Sequence, residues 1–494
     1  MIENLNNLKN EEFPDGHIDN LSLSRVQFQR VVQDNIALLS KAFKNQFVIP
    51  EFAHFTKQIR GIYNHCKNID TGKVASYIPQ LARYDPKLFA VSICTVDGQR
   101  FSLGDVEMPF TMQSSSKPFT YAVCLNQLGR DIVHNYVGQE PSGRMFNELT
   151  LDNNNKPHNP LLNSGAIMSA AILLYLVNPE MKMSEKFDFV SDYIKRIAGG
   201  EFLSFNNSVF LSERETADRN YALTYYMNEN KCFPKGFNLQ DCLDFYFQTC
   251  SMEVNCDSMA VMGATLANGG VCPITNEEVL KPESVRDVLS LMHSCGMYNY
   301  SGQFAFNVGL PSKSGVSGSL VLVVPNVMGI GLWSPPLDSL GNTVRGVQFA
   351  KEFVKLFNFH RFDNLINLSG RKIDPRLFKD EQSRQSTLCL LYSATTGDLT
   401  ALKRFYYNTN TNMNSSNYDG RTALHLACAE GHLNCVQFLV ETCKGNPLLR
   451  DRWGFTPVIE AKRFRHEKVV QYLMQYLEEH YPLKNDNTPG FKTA

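Results

Sequence analysis

Residues 112–125 read MQSSSKPFTYAVCL. Three serines stand directly before Lys117-Pro118, and an apolar run of helical character follows. When S-x-x-K opens a helix, one turn brings the amine back toward the hydroxyl, and a lysine kept neutral by burial can take the hydroxyl proton during attack. The same spacing describes a Ser-capped helix with proline in its first turn. Ser369-Gly-Arg-Lys372 repeats it in a polar stretch. Local spacing therefore leaves both readings open.

Far downstream, Lys313-Ser314-Gly315 is the only K-[ST]-G in the chain, and it leads into the apolar run from Ser319. S-x-x-K followed at long range by K-[ST]-G on a strand resembles the serine β-lactamases and penicillin-binding proteins. In that arrangement an edge strand crosses the nucleophile, and a backbone N–H near its start completes an oxyanion hole. Here that pairs Val316 N–H with Ser114 N–H. An intervening S-D-N is absent, and Ser204-Phe205-Asn206 fits it only loosely.

The 494 residues suggest about three domains. With 48 basic and 49 acidic residues the net charge is -1, which argues against a nucleic-acid partner. The longest apolar run, SLVLVVPNVMGIGLW, is broken by Pro325-Asn326 and reads as two buried strands and a turn rather than a membrane span. The first residues, MIENLNNLKNEEFPDG, have the character of neither a signal peptide nor a transit sequence. None of the 13 cysteines forms a CxxC pair, and Cys428, Cys435 and Cys443 lack zinc-finger spacing. Reduced thiols packed as small hydrophobes, in an intracellular compartment, are expected.

Three zones separate along the chain. In RVQFQRVVQDNIALLSKAF, Phe28, Val31, Val32, Ile36, Leu39 and Phe43 recur at near-helical spacing, so residues 1–70 read as an N-terminal helical unit. A calcium-hand reading of that unit is rejected, because no acidic loop ends in a bidentate glutamate. Residues 71–365 mix strands and helices. FAVSICTVDGQRFSLGD and SGSLVLVVPNVMGIGLWSPP read as hairpins, with helices such as YAVCLNQLG and DSMAVMGATLANGG between them. This predicts an α+β domain whose sheet joins both ends of the segment.

A polar linker is expected over 366–385, and beyond it a 34-residue repeat emerges over 386–480. Gly397-Asp398, Gly431-His432 and Arg465-His466 keep that interval, as do Leu402, Val436 and Val470. TALHLACAEGH from Thr422 matches the ankyrin signature, and TPVIEA from Thr456 is a weaker copy, each threonine being read as a helix cap. Two clear repeats and a degenerate preceding one are expected, then a flexible tail over 481–494. Such a solenoid either binds a protein partner or serves capping and assembly.

The middle domain also carries YIPQLARYDPKLFAVSICTVDGQR, GDVEMPFTMQSSSKPF, KPHNPLLNSGAI, SERETADRNYA, DFYFQTCSMEV, LANGGVCPIT, MHSCGMYNYSGQFAFNVGLPSKSGVSGSLVLVVPN and GLWSPPLDSLGN. On these motifs the chain resembles the glutaminase family, of the animal kidney/liver type with C-terminal ankyrin repeats. The resemblance implies a multidomain protein. Its α+β, β-lactamase/transpeptidase-like catalytic domain lies between the helical unit and the solenoid, and it hydrolyses L-glutamine to L-glutamate and ammonia.

Carried over position by position, Ser114 is the nucleophile, Lys117 its base, and Tyr77 and Tyr298 assist proton transfer. Asn163, Glu213, Asn220, Tyr246, Tyr298 and Val316 join Ser114 in binding substrate, with Glu213 opposite the α-ammonium. The resemblance also implies a homotetramer, activation by inorganic phosphate, and a mitochondrial location. The last stays open beside a cytoplasmic one for want of a transit sequence. No metal or organic cofactor and no membrane insertion is expected, since Ser-Lys acyl transfer requires no cofactor.

Each residue also has a plainer reading. The three tyrosines can be core aromatics, Asn163 a turn former, and Glu213 and Asn220, seven apart, one face of a charged helix. Ser115 and Ser116 are formal rivals of Ser114. Leu149-Thr150 departs from the kidney-type Leu-Phe in the loop that gates the site, which leaves regulation open. Another amide or β-lactam substrate on the same fold, or a scaffold without catalysis, are the competing functions.

Overall fold

The structure, a computed structural model, describes residues 2–13, 22–32, 47–143, 148–363, 372–408 and 411–481, with positions 36, 39, 40 and 43. The chain divides into two compact units, Met1–Phe362 and Asp363–Ala494.

In the first unit both apolar hairpins form and join one sheet. Strands β2 (Ala90–Thr95) and β3 (Arg100–Gly104) pair antiparallel, as do β8 (Ser319–Val324) and β9 (Met328–Trp333). β2 lies along β9, with Ile93 opposite Ile330. β7 (Ser312–Ser314) adds to β8 at the edge, giving the order β3-β2-β9-β8-β7. The K-S-G segment is therefore the edge strand that its sequence context predicts. β2, β8 and β9 are buried at every position, which is why they read as continuous apolar runs rather than alternations. A three-stranded sheet forms from β4 (Phe110–Thr111), β6 (Met252–Val254) and β5 (Leu203–Phe205), while β1 (Lys73–Val74) pairs with β10 (Pro336–Leu337).

Between the sheet-forming ends lies the helical half. The helices Lys117–Leu128, Asn163–Tyr175, Leu239–Cys250 and Cys256–Ala267 contribute to a single apolar core. Asn163–Tyr175 is buried from Ser164 through Leu174, so it has no polar face to betray a helical period.

At the N-terminus, Ile2–Glu12 and Arg25–Val32 are helical, and Leu8, Val31 and Val32 form a small buried cluster. The predicted apolar stripe is only partly covered. Leu39 packs on that cluster, whereas Phe28, Ile36 and Phe43 are 53%, 59% and 89% exposed.

Among its described residues the second unit has three helix pairs: Lys379–Thr395 with Leu399–Asn408, Ala423–Ala429 with Leu433–Gln437, and Pro457–Arg463 with Glu467–His480. Two expectations need correction. The segment read as a linker over 366–385 enters a helix at Lys379, and 364–371 lie outside the described residues. Of the two threonines, Thr422 caps its helix by accepting from His425 N–H, while Thr456 makes no side-chain cap bond, and Pro457 opens the helix instead.

The repeat interval has a structural cause. His432 bonds through Nε2 to Thr395 O at 2.9 Å, and His466 to Ala429 O at 2.8 Å, stitching each repeat to the one before. Gly397 and Gly431 adopt φ of 71° and 77°, and an added Cβ there would strike the ring of that following histidine. Arg465, at the same repeat position, has φ 62°.

Candidate active site

Gln113–Ser116 form a 3-10 turn that runs into the Lys117–Leu128 helix. In a 3-10 turn residues i and i+3 eclipse, so Ser114 and Lys117 are placed on one side even more directly than in an α-helix. Gln113, before the nucleophile candidate, holds φ at 50°, a left-handed value that is uncommon outside glycine. The rival serines are committed elsewhere. Ser115 Oγ donates to Met112 O at 2.5 Å and Ser116 Oγ to Gln113 O at 2.8 Å, and both residues are buried. Ser114 is the one that keeps partial access to solvent.

Lys117 is buried, and its Nζ donates to Asn163 Oδ1 at 2.7 Å and reaches Leu161 O at 3.5 Å. Burial lowers its pKa to about 8, opposed by the Cys250 sulfur nearby. Asn163 then passes a hydrogen bond from Nδ2 to Asn220 Oδ1 at 3.3 Å, so a substrate-binding candidate is coupled to the base.

Tyr298 sits on the far side with φ of 50°, and its buried hydroxyl faces Ser114. Burial pushes this phenol up, and Ser114 opposes that shift. Tyr77 exposes 48% of its surface, yet its hydroxyl turns inward and donates to Glu213 Oε1 at 2.5 Å. Burial raises the Glu213 carboxyl, and hydrogen bonds from Tyr77 and Gln113 counter it. Burial first, and the Glu213 charge second, push Tyr77 well above its ordinary value. Tyr246 is raised as well, by burial first and the nearby Cys250 sulfur second.

Glu213 and Asn220 do not share a helix. The first belongs to Asn207–Glu215 and the second to Asp218–Glu229, and the break at Thr216-Ala217 turns both inward. The loose S-D-N match is structural, since Asn206 caps the Asn207–Glu215 helix by accepting from Val209 N–H at 2.9 Å.

The edge strand closes the site. A Cβ on Gly315 would stand 2.8 Å from Met112 O, so the turn carrying Val316 packs directly on the serine turn. Ser319 Oγ donates to Ser115 Oγ at 3.2 Å across the same seam. Lys313 is fully buried with its Nζ 4.3 Å from the Tyr298 ring centroid. A cavity of about 610 Å³ lies alongside, reaching Tyr298, Leu161 and Glu148.

The structure thus gathers the predicted residues around Ser114. Sequence reading had left out three participants. Gln113 and Cys250 were quoted only inside motifs, and Lys313 only as a landmark. A buried thiol contacting a lysine has no periodic or spacing signal.

What this arrangement can do is acyl transfer by a serine. The three tyrosine hydroxyls remain protonated near neutrality, and burial lowers the pKa of two amines of the cluster, Lys117 and Lys313. Of these Lys117 stands one turn after Ser114, while Lys313 donates to Ser314 O, so Lys117 is the better placed to accept the serine proton.

Comparison with known proteins places this site in a family. A glutaminase family model matches residues 72–362, a model of three ankyrin repeats matches 390–485, and an EF-hand domain model matches 1–50. Putative glutaminase 2 of Caenorhabditis elegans is 52% identical over 472 residues, covering 95% of this chain and 77% of that protein. The liver isoform of mitochondrial glutaminase from Rattus norvegicus is 52% identical over 454 residues, 92% of this chain and 74% of that one. The solved structure of the probable glutaminase ybaS superposes with a TM-score of 0.59 at 34% identity, covering 62% of this chain and 98% of that one. The match over 1–50 overturns the rejection of a calcium-hand architecture for the N-terminal unit, whose helices Ile2–Glu12 and Arg25–Val32 fit such a pair. Residues 14–21 between them lie outside those described, and the want of an acidic calcium loop remains a reading of the sequence alone. With the site assembled inside the matched region, the chain belongs to the glutaminase family, carrying ankyrin repeats C-terminal to its glutaminase domain.

Proposed function

We propose that this protein hydrolyses the side-chain amide of L-glutamine through an ester on Ser114. The observation that carries the reading is the buried Lys117 amine, its pKa drawn down to about 8, one 3-10 turn after a serine that alone of its triplet is open. The free amine takes the Ser114 proton as Oγ attacks the amide carbonyl carbon. The Ser114 and Val316 N–H groups receive the oxyanion. The Lys117 ammonium returns the proton to the departing nitrogen through the Tyr298 phenol, and ammonia leaves. Water, deprotonated by the same amine, then cleaves the ester to glutamate.

Glu213 holds the α-ammonium of the substrate, and Asn163, Asn220 and Tyr246 hold its α-carboxylate. Tyr77 orients Glu213. None of these steps calls for a metal or organic cofactor. The test is glutamate release from L-glutamine by the wild type and Ser114→Ala. A wild type inactive even with phosphate present, or a variant at full rate, overturns the reading. Turnover of a β-lactam in place of glutamine would favour the competing substrate.

We also infer a location in mitochondria, in keeping with the name of the mitochondrial liver isoform, and, from the family resemblance alone, a homotetramer responsive to inorganic phosphate. Sedimentation with and without phosphate, and fractionation of cells expressing the full-length protein, check these points. The ankyrin unit is read as a platform for a protein partner.

A further inference from the structure

A second cavity, of about 480 Å³, lies away from the serine site. One wall is a face of the helix Pro282–Cys295, through Val285, Leu289 and His293 at helical spacing. Buried Leu266, Leu310 and Phe359 form its apolar floor. Its charged lining is basic, from exposed Arg286 and Arg361 with His293 beside them; Ser290 and Asn326 are its neutral polar residues, and none of the residues that line it is acidic. His293 Nδ1 is buried and has no hydrogen-bond partner. The helix carries two carboxylates outside the lining, Glu283 and Asp287, and Asp287 takes Arg286 at 3.2 Å and lies 3.7 Å from Arg130. Basic groups are thus concentrated over an apolar floor.

We propose that this cavity is a binding site for a small amphiphilic carboxylate, its apolar body on Leu266, Leu310 and Phe359 and its anionic head on His293 and Arg361. Charge complementarity selects the head, since an anion satisfies the orphan Nδ1 and relieves the crowding of His293 by Arg361. A hydrocarbon without a charge would leave that nitrogen unpaired, and a bare anion would leave the floor wet.

The site is mechanically linked to the serine centre, and this part rests on the proposed glutamine reaction. The helix that carries His293 ends at Cys295 and is followed by Gly296, where a Cβ would fall into the carbonyl of Ser312 on β7. Gly296 O accepts from Ser314 N–H at 3.2 Å, and Tyr298, which faces Ser114, comes two residues later. A ligand that pins the last turn of this helix therefore restrains both β7 and Tyr298, and changes kcat rather than glutamine affinity.

Isothermal titration of the full chain with sodium octanoate tests the binding without any turnover. Saturable binding at one site per chain is expected, weakened at least about tenfold in Arg361→Gln and in His293→Gln, with glutamine turnover of both variants unchanged when octanoate is absent. No saturable heat, equal affinity in the variants, displacement of octanoate by glutamate, or equally tight binding of inorganic phosphate at the same residues would each overturn it. Octanoate is further expected to shift kcat at least twofold in the wild type and not in Arg361→Gln. If octanoate binds as described but kcat stays put, the link to Tyr298 is wrong. A wild type that binds octanoate but never turns over glutamine rejects the proposed reaction and leaves the site standing.

Discussion

Ser114 is distinguished from Ser115 and Ser116 by what its neighbours do. Both neighbours spend their hydroxyls on backbone carbonyls one turn back, and their interiority is structural. Replacing Ser114 by alanine is expected to lower kcat at least about a thousandfold. Ser115→Ala is expected to cost about 1 kcal/mol of stability and leave most of the activity, measured by denaturant unfolding beside the assay.

Lys117 makes a prediction with a definite sign. Its base form dominates above about pH 8, so kcat/KM should fall close to tenfold per pH unit below that value. For stability, the unfolded lysine keeps its proton up to 10.5 while the folded one releases it near 8. The unfolded state binds more protons across that window, so stability rises with pH through it. Lys117→Met removes this dependence. The melting-temperature gap between variant and wild type should therefore move in favour of the wild type from pH 8 to pH 10. A constant gap would mean that Lys117 is charged in the folded protein. With Glu213 in its proposed place opposite the substrate ammonium, Glu213→Gln should raise KM about ten- to a hundredfold with a smaller effect on kcat, as steady-state kinetics would show.

At the scale of elements, the repeat array explains its own glycines. Gly431 must be glycine twice over: its φ of 77° is left-handed, and a Cβ would displace the His466 ring from Ala429 O. Gly431→Ala should cost about 2 kcal/mol, combining backbone strain with a lost buried bond. Arg465 occupies the same repeat position at φ 62° and, in the terminal helix pair, bears only the backbone strain, so Arg465→Gly should be neutral to stabilising by about 0.5 kcal/mol. Denaturant unfolding of the full chain measures both, and equal effects would mean that the histidine contact contributes nothing.

The same scale shows where reading the chain fails. The hairpins and the repeat were legible because alternating turn residues, long apolar runs and a fixed interval are local signals. The plainer alternative for Glu213 and Asn220, one face of a charged helix, fails at the break at Thr216-Ala217, which the sequence does not mark because it carries neither proline nor glycine. The linker was misread because polarity alone does not forbid a helix, and the one beginning at Lys379 gains its burial later, at Leu390, Leu391 and Ala394.

For the whole molecule, the core of the first unit runs from Ala90 to Trp333 and that of the second from Leu390 to Leu473, with no residue shared. A chain ending at Phe362 should therefore fold, melt within a few degrees of the corresponding transition of the full chain, and keep kcat for glutamine within about tenfold. A truncated chain that does not fold would show that the ankyrin unit supplies stability to the first. By itself the sequence determined the list of chemistry-bearing residue types, the strand-rich ends, the 34-residue array and, through its motifs, the family, because each is written in spacing or identity. Which serine is open, how far the Lys117 amine is driven from its charge, and that Gln113, Cys250 and Lys313 border the same centre were decided only by tertiary structure. Burial and hydrogen bonding are set by residues far apart in the chain, and no local pattern encodes the dielectric around an amine or the partner of a hydroxyl.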